Sequence, residues 1–216
     1  MKKTLLILLT LCMMIGLAAC SGSNNSDEAA ATDNETAAAE DQTSETEQSN
    51  SDNTTLVVYF SVTGNTKGVA EKIADITGAD VYEIKAAEEY TNEDIDYDNS
   101  DSRTTHEQND SSARPEIGSD KLSLEGYTTI YIGYPIWWGQ EPRIMDTFVE
   151  SYDFEGITMI PFCTSGSSDI GQSGQNLADN AGSGSWLEGK RFAGGASEDE
   201  IRTWIDGLQE RCKEAN

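Results

Sequence analysis

Leu56-Val57-Val58-Tyr59-Phe60 is apolar at every position rather than at alternate ones. A strand with one wet face alternates, whereas a strand covered on both faces does not. The run therefore asks for a parallel sheet with helices on each side. A turn containing Gly and Thr follows it. Residues 67–76 then place Val69, Ile73 and Ile76 near helical spacing. Val81-Tyr82-Glu83-Ile84 reads as a shorter, more polar strand nearer the sheet edge. Thr129-Ile130-Tyr131-Ile132-Gly133 is a third strand, and residues 157–162 are a fourth, with Pro161 near its end.

The helices between these strands are legible too. Pro142 can open a helix at its first position, and Ile144, Met145, Phe148 and Val149 give that helix an apolar face. A helix of uncertain length surrounds residues 175–180. Lys190-Arg191-Phe192-Ala193 is a weak last strand. Ser197-Glu198-Asp199-Glu200 is a capping box. Ile201, Trp204, Ile205, Leu208 and Cys212 fall on one face of the helix it starts, which makes Cys212 a core position. The alternation of strand and helix predicts one doubly wound α/β domain over residues 55–216.

Residues 86–120 interrupt this order. They are acidic and irregular, with Glu88-Glu89 as a candidate helix start before Tyr90 and Asp94-Ile95-Asp96-Tyr97-Asp98 as loop. Excursions of this length in a compact domain are often functional.

The N-terminal quarter has a different character. Met1-Lys2-Lys3 is basic and residues 4–19 are almost wholly apolar, which reads as a signal peptide over 1–19. Leu17-Ala18-Ala19-Cys20 resembles a bacterial lipobox. That resemblance implies cleavage before Cys20 and a diacylglycerol thioether on its sulfur. Residues 21–53 hold no aromatic, Leu, Ile, Val, Lys or Arg, and cannot bury enough apolar surface to offset chain entropy. Residues 20–54 are therefore expected to be a lipidated, disordered, acidic tether. The expected location is the extracytoplasmic side of the cell membrane, with membrane contact through the lipid anchor only.

The formal net charge of −25 argues against nucleic acid as a partner. His106 is the single histidine, which argues against a histidine metal site or a Ser-His-Asp triad. Cys163 reads as a small buried residue, with no basic partner in sequence to make it a nucleophile. No metal site and no catalytic side chain are predicted.

In an open parallel sheet, ligands sit beyond the carboxyl ends of the strands. Three segments stand there. Ser61-Val62-Thr63-Gly64-Asn65-Thr66 joins a buried strand to a helix start, where backbone N–H groups can cradle a phosphate. It is neither a Walker loop nor GxGxxG, which disfavours ATP and NAD sites. Tyr134-Pro135-Ile136-Trp137-Trp138-Gly139 carries two adjacent indoles. One can line a planar ligand while the other packs inward. Cys163-Thr164-Ser165-Gly166-Ser167-Ser168-Asp169 is small enough for backbone to approach a flat heterocycle.

Together these segments resemble the flavodoxin-like family, over residues 56–212. The first is similar to its phosphate loop. Gly133 through Gly139 with Pro142-Arg143 is similar to the first flavin-ring loop, and Phe162 through Gly166 with Gly171 and Ser173 to the second. Leu187-Glu188-Gly189-Lys190-Arg191-Phe192 also fits. The resemblance implies a five-stranded parallel sheet of order 2-1-3-4-5 and non-covalent FMN. Ser61, Thr63, Gly64, Asn65 and Thr66 would hold the phosphate. Pro135, Ile136, Trp137, Trp138 and Gly139 would flank one side of the isoalloxazine, and Thr164, Ser165, Gly166 and Ser168 the other.

The implied function is electron transfer or a small flavin oxidoreductase activity, with a redox protein or a small-molecule acceptor as partner. Two alternatives remain open at this stage. One is an NAD(P)H-dependent quinone or nitro-compound reductase. The other is a binding module that keeps the fold without FMN. Tyr90, His106 and Arg114, in the excursion, are candidates for substrate contact.

Overall fold

The computed structural model describes residues 54–214. The predicted signal peptide, Cys20 and all of the predicted tether but Thr54 lie outside the described residues, as does the side chain of Cys212.

The elements are β1 (Thr55–Phe60), α1 (Asn65–Thr77), β2 (Asp80–Ile84), α2 (Arg103–Asn109), β3 (Thr129–Pro135), α3 (Arg143–Glu150), β4 (Thr158–Thr164), α4 (Ser173–Ala181), β5 (Ser185–Trp186), β6 (Lys190–Phe192) and α5 (Glu198–Glu214). The sheet is parallel, in the order β2-β1-β3-β4-β5, with β6 also on β4. This is the order 2-1-3-4-5, with its fifth strand in two pieces.

The unbroken apolar run of β1 feeds two cores. Leu56, Val58 and Phe60 point into one, where α3 supplies Ile144, Met145, Phe148 and Val149 and α4 supplies Leu177. Val57 and Tyr59 point into the other, against Val69, Ala70 and Ile73 of α1 and Ile201, Trp204, Ile205 and Leu208 of α5. Successive strand residues face opposite ways, so a strand between two helix layers needs apolar side chains at every position.

Pro161 lies in the middle of β4, opposite Ile132 of β3, rather than near its end. The broken edge strand explains why a proline is tolerated there. Met159 O accepts a bond from Leu187 N. Polar groups two residues apart on a strand point to the same neighbour, so the missing Pro161 N–H also faces the edge strand. The gap between β5 and β6 falls there, and no ladder bond is lost.

Three local expectations are corrected. Glu88-Glu89 opens no helix. The chain instead forms an antiparallel bridge between Ala86 and Ile117, with Ala87 N bonding Glu116 O at 2.8 Å. The helix of the excursion is α2, capped by Ser102, whose hydroxyl accepts from Thr105 N at 3.4 Å. It buries Thr104, Thr105 and Gln108, polar residues that give no hydrophobic period. Pro142 is extended (φ −62°, ψ 140°) and precedes α3 instead of opening it. At α5, Ser197 Oγ accepts from Glu200 N at 3.2 Å, as the capping box requires, while the Glu200 carboxylate lies 3.9 Å from Lys190 Nζ.

Candidate functional site

The β1–α1 connection turns on Gly64, whose φ of +82° suits a residue without Cβ. Asn65 Nδ2 donates to Thr63 Oγ1 at 3.1 Å, which fixes the loop tip. Thr66 is buried, and its hydroxyl meets Thr164 Oγ1 at 2.7 Å, tying this loop to the end of β4. Ser61 Oγ is buried without a hydrogen-bond partner. A buried hydroxyl left unpaired costs free energy unless a ligand satisfies it. The loop itself contains no Lys or Arg. Its acceptor-seeking groups are hydroxyls and the first amides of α1, which carry the positive end of the helix dipole.

The indole segment is a tight turn. Trp137 N and Gln140 O pair at 2.9 Å, and so do Gln140 N and Trp137 O. The two central residues have positive φ, +47° at Trp138 and +77° at Gly139. That is the geometry of a type I′ turn, and it explains the glycine. Trp138 in this region costs about 1–3 kcal/mol, which surrounding contacts must offset. The indoles diverge, as adjacent side chains should. Trp137 is buried edge-on against Phe60 and Tyr90, with centroids at 5.6 and 5.3 Å. Trp138 stacks on Tyr97 at 4.5 Å.

The β4–α4 connection is held by a cation. Arg191 of β6 donates to Ser165 O at 2.6 Å, to Gly166 O at 2.8 Å and to Ser165 Oγ at 3.2 Å. Ser165 Oγ also donates to Ser168 O. Ile136 N bonds Thr164 O at 3.0 Å, and Ser165 N bonds Phe192 O at 3.2 Å. The Cys163 thiol is free and buried, and burial pushes it up to about 12, so it is no nucleophile.

These loops border one cleft of about 460 Å³. Of the predicted residues, Thr63 and Asn65 line it from the first loop, Pro135, Ile136 and Trp137 from the second, and Thr164, Ser165 and Gly166 from the third. Gly64, Thr66, Trp138, Gly139 and Ser168 shape these loops without lining it, and Ser61 borders a neighbouring cleft of about 260 Å³ instead. Ile95, Tyr97 and the segment Ala193-Gly194-Gly195 also line the cleft.

A flavodoxin family model matches residues 54–208. The chain belongs to the flavodoxin family. Two proteins assigned as flavoproteins, from Bacteroides eggerthii and Bacteroides uniformis, are 42% and 44% identical to it, with TM-scores of 0.67 and 0.68. The first alignment covers 72% of this chain and 97% of the other; the second covers 71% and 98%. A flavoprotein from Lactobacillus acidophilus, in complex with FMN, is 24% identical with a TM-score of 0.51, over 71% of this chain and 99% of that one. This last likeness shows the fold. No curated protein matches the chain.

The excursion departs from expectation inside this flavodoxin frame. Tyr90, His106 and Arg114 do not line the cleft. The Tyr90 hydroxyl donates to Glu107 Oε2 at 2.8 Å, and the Arg103 guanidinium lies 3.9 Å over its ring. His106 is exposed on α2. Arg114 makes a two-bond pair with Glu150, at 2.8 and 2.6 Å. Tyr97 reaches the cleft instead, its hydroxyl donating to Ile136 O at 3.3 Å. The sequence signal for it was slight: one aromatic ring among aspartates.

Behind the indole turn, α2 grips the flavodoxin core. Gln108 Nε2 donates to Trp137 O at 3.2 Å and to Glu141 O at 3.0 Å. Arg143 reaches Glu107 O, Gln108 O and Gln140 Oε1 at 3.3–3.4 Å. Gln108 is absent from the predicted site, and Arg143 entered it only through the Pro142-Arg143 motif, with no role given. Among the described residues there is no group of His, Cys, Asp and Glu able to hold a metal ion, and no helix long and apolar enough to cross a membrane.

Proposed function

We propose that this flavodoxin-family chain binds FMN in the 460 Å³ cleft and acts in electron transfer, as a carrier or a small flavin oxidoreductase. The observation that carries the reading is the convergence of a neutral, hydroxyl-rich helix start with two loops that end neighbouring strands. The residues fit the cofactor. The Ser61 hydroxyl of the same loop is a buried donor without a protein acceptor, at the edge shared with the neighbouring cleft, and a phosphate on the loop would satisfy it. Thr63, Asn65 and the α1 amides would complete the phosphate shell, with Gly64 and Thr66 setting its shape. Pro135, Ile136 and Trp137 give the cleft an apolar side, and Thr164, Ser165 and Gly166 border it with small residues whose carbonyls are already bonded within the protein. FMN, when bound, supplies the one- and two-electron chemistry.

The chain's own part is to orient, exclude water and set the local field. None of the residues lining the cleft is Lys, Arg or His, and Arg191 beside it is committed to loop carbonyls. That argues for a carrier over an enzyme with a second phosphate-bearing nucleotide. The lipobox-like end at Cys20 supports a place on the outer face of the cytoplasmic membrane, with a redox protein or a small-molecule acceptor as partner.

The first test is the visible spectrum of the purified full chain with added FMN. A flavin spectrum that stays with the protein through gel filtration, at one FMN per chain, is expected. A chain that stays colourless overturns the reading. NADPH oxidation with a quinone acceptor then separates enzyme from carrier. Cys20→Ala should release the chain from the membrane fraction; unchanged fractionation would count against the anchor.

A further inference from the structure

Glu141 and Asp146 are both completely buried, and one buried guanidinium serves the two of them. Arg143 Nη1 lies 3.2 Å from Asp146 Oδ2 and 3.8 Å from Glu141 Oε1. Asp146 has further donors: Asn180 Nδ2 at 2.9 Å, and Arg114 Nη1 at 4.0 Å on the margin, where Arg114 is already paired with Glu150. Glu141 has its own backbone N–H and a side-chain amide besides Arg143. Asn176 Nδ2 of α4 meets its two oxygens at 3.2 and 3.1 Å. The remaining titratable neighbour is Tyr134, whose hydroxyl is bonded to Ser173 Oγ at 3.0 Å.

The interior thus holds two carboxyl groups for one buried cation. A net negative charge in a dry core is costly, and the inexpensive relief is a proton on one of the pair. Asp146 has the better cationic contacts, so the proton belongs on Glu141. Burial pushes the Glu141 carboxyl up to about 7 and the Asp146 charge adds to the rise, against its own backbone N–H, Asn176 and Arg143, which pull it down. Burial raises Asp146 as well, opposed by its bonds to Asn180 and Arg143.

Glu141 is also joined to the indole turn. Its carbonyl shares the Gln108 amide with Trp137 O. Its side chain ties this segment to α4. We propose that Glu141 is a positioning residue for the ring side of the cleft: it carries a proton in the folded protein, and the neutral carboxyl, held by Asn176, keeps the turn at Trp137 and Trp138 in its ligand-holding form. The role in ligand holding rests on the FMN reading; the proton does not.

The sign of the pH effect follows. The folded value of about 7 stands above the ordinary 4.5. Between them the folded chain holds a proton that the unfolded chain has lost. The stabilisation is complete below about 4.5, declines as pH rises, and is gone above about 7. The side-chain amide of an E141Q variant resembles the neutral acid and cannot titrate.

The test compares the full-length wild type, E141Q and E141A from pH 5 to 8, by urea unfolding and by quenching of FMN fluorescence. The wild-type unfolding constant is expected to rise relative to that of E141Q by about tenfold per pH unit up to pH ~7, and then to level. Parallel profiles overturn the buried proton. At pH 6, E141Q should bind FMN like the wild type and E141A at least ~10-fold more weakly, the size of a lost hydrogen bond to a buried polar group. Equal affinities in all three overturn the positioning role. If E141A does not fold, N176A replaces it: it removes the amide that holds the Glu141 carboxyl, and unchanged FMN affinity again contradicts the role. Wild type that binds no FMN at any pH defeats the FMN reading and the ligand-holding role with it, while the stability profile still decides the proton.

Discussion

The 61–66 loop and the 137–140 turn contribute to the same cleft but are held in different ways. The first is mostly a local construction. Gly64 supplies the left-handed corner, Asn65 bonds Thr63 two residues away, and Gly68 N bonds Gly64 O at 2.9 Å. Among the described residues its one long-range side-chain bond is Thr66 to Thr164. The indole turn has the reverse balance. Two consecutive positive φ values are held by Gln108 of α2, by the Arg143 cluster and by Tyr97 against Trp138. A local loop can be read from its residue types. A turn held from elsewhere cannot, because its supports are distant in sequence and polar.

The largest break should come at the remote support. Arg143→Ala leaves Glu141 and Asp146 buried without their cation. We expect a loss of about 3–5 kcal/mol in unfolding free energy at pH 8, where both acids are most costly. Urea titration checks it; a loss below ~1 kcal/mol would mean that the cluster does not carry the turn.

Ser61→Ala sharpens the contrast from the other side. It removes an unpaired buried hydroxyl, so stability without ligand should hold or rise slightly. FMN affinity should fall by about 1.5–3 kcal/mol, the worth of a hydrogen bond to a charged group. Stability and affinity lost together would show that the hydroxyl serves the fold rather than the ligand.

This contrast also marks what the sequence made legible. β1, β3, β4 and the amphipathic helices were readable because two-sided burial demands unbroken apolar runs and apolar helix faces, and β2 by its short mixed pattern at the sheet edge. Thr63, Asn65 and Thr164 were placed at strand ends by the sequence, and they do border the cleft. The polar helix α2 carries no hydrophobic period. The division of the last strand into β5 and β6 lies opposite a proline on its neighbour, and the Arg191 clamp is made across strands. Each depends on residues far apart in sequence.

Smaller effects should separate the turn from its neighbours. Gly139→Ala, at φ +77°, should cost about 1–2 kcal/mol and weaken FMN and riboflavin alike, because the damage lies on the ring side. A selective loss of FMN would move Gly139 to the phosphate side. Tyr97→Ala should cost about 0.5–1.5 kcal/mol of flavin affinity, since the exposed ring stacks on Trp138 and lines the cleft. Its unfolding midpoint should barely move; a large drop would make Tyr97 a structural residue.

The central claim is that one cleft joins a phosphate site to a ring site. Parallel titrations of the full chain with FMN and riboflavin test it most directly. One FMN per chain is expected, bound at least ~100-fold more tightly than riboflavin, because several charge-assisted bonds at the 61–66 loop are absent for riboflavin. Equal affinities for the two flavins, or no binding of either, would contradict it.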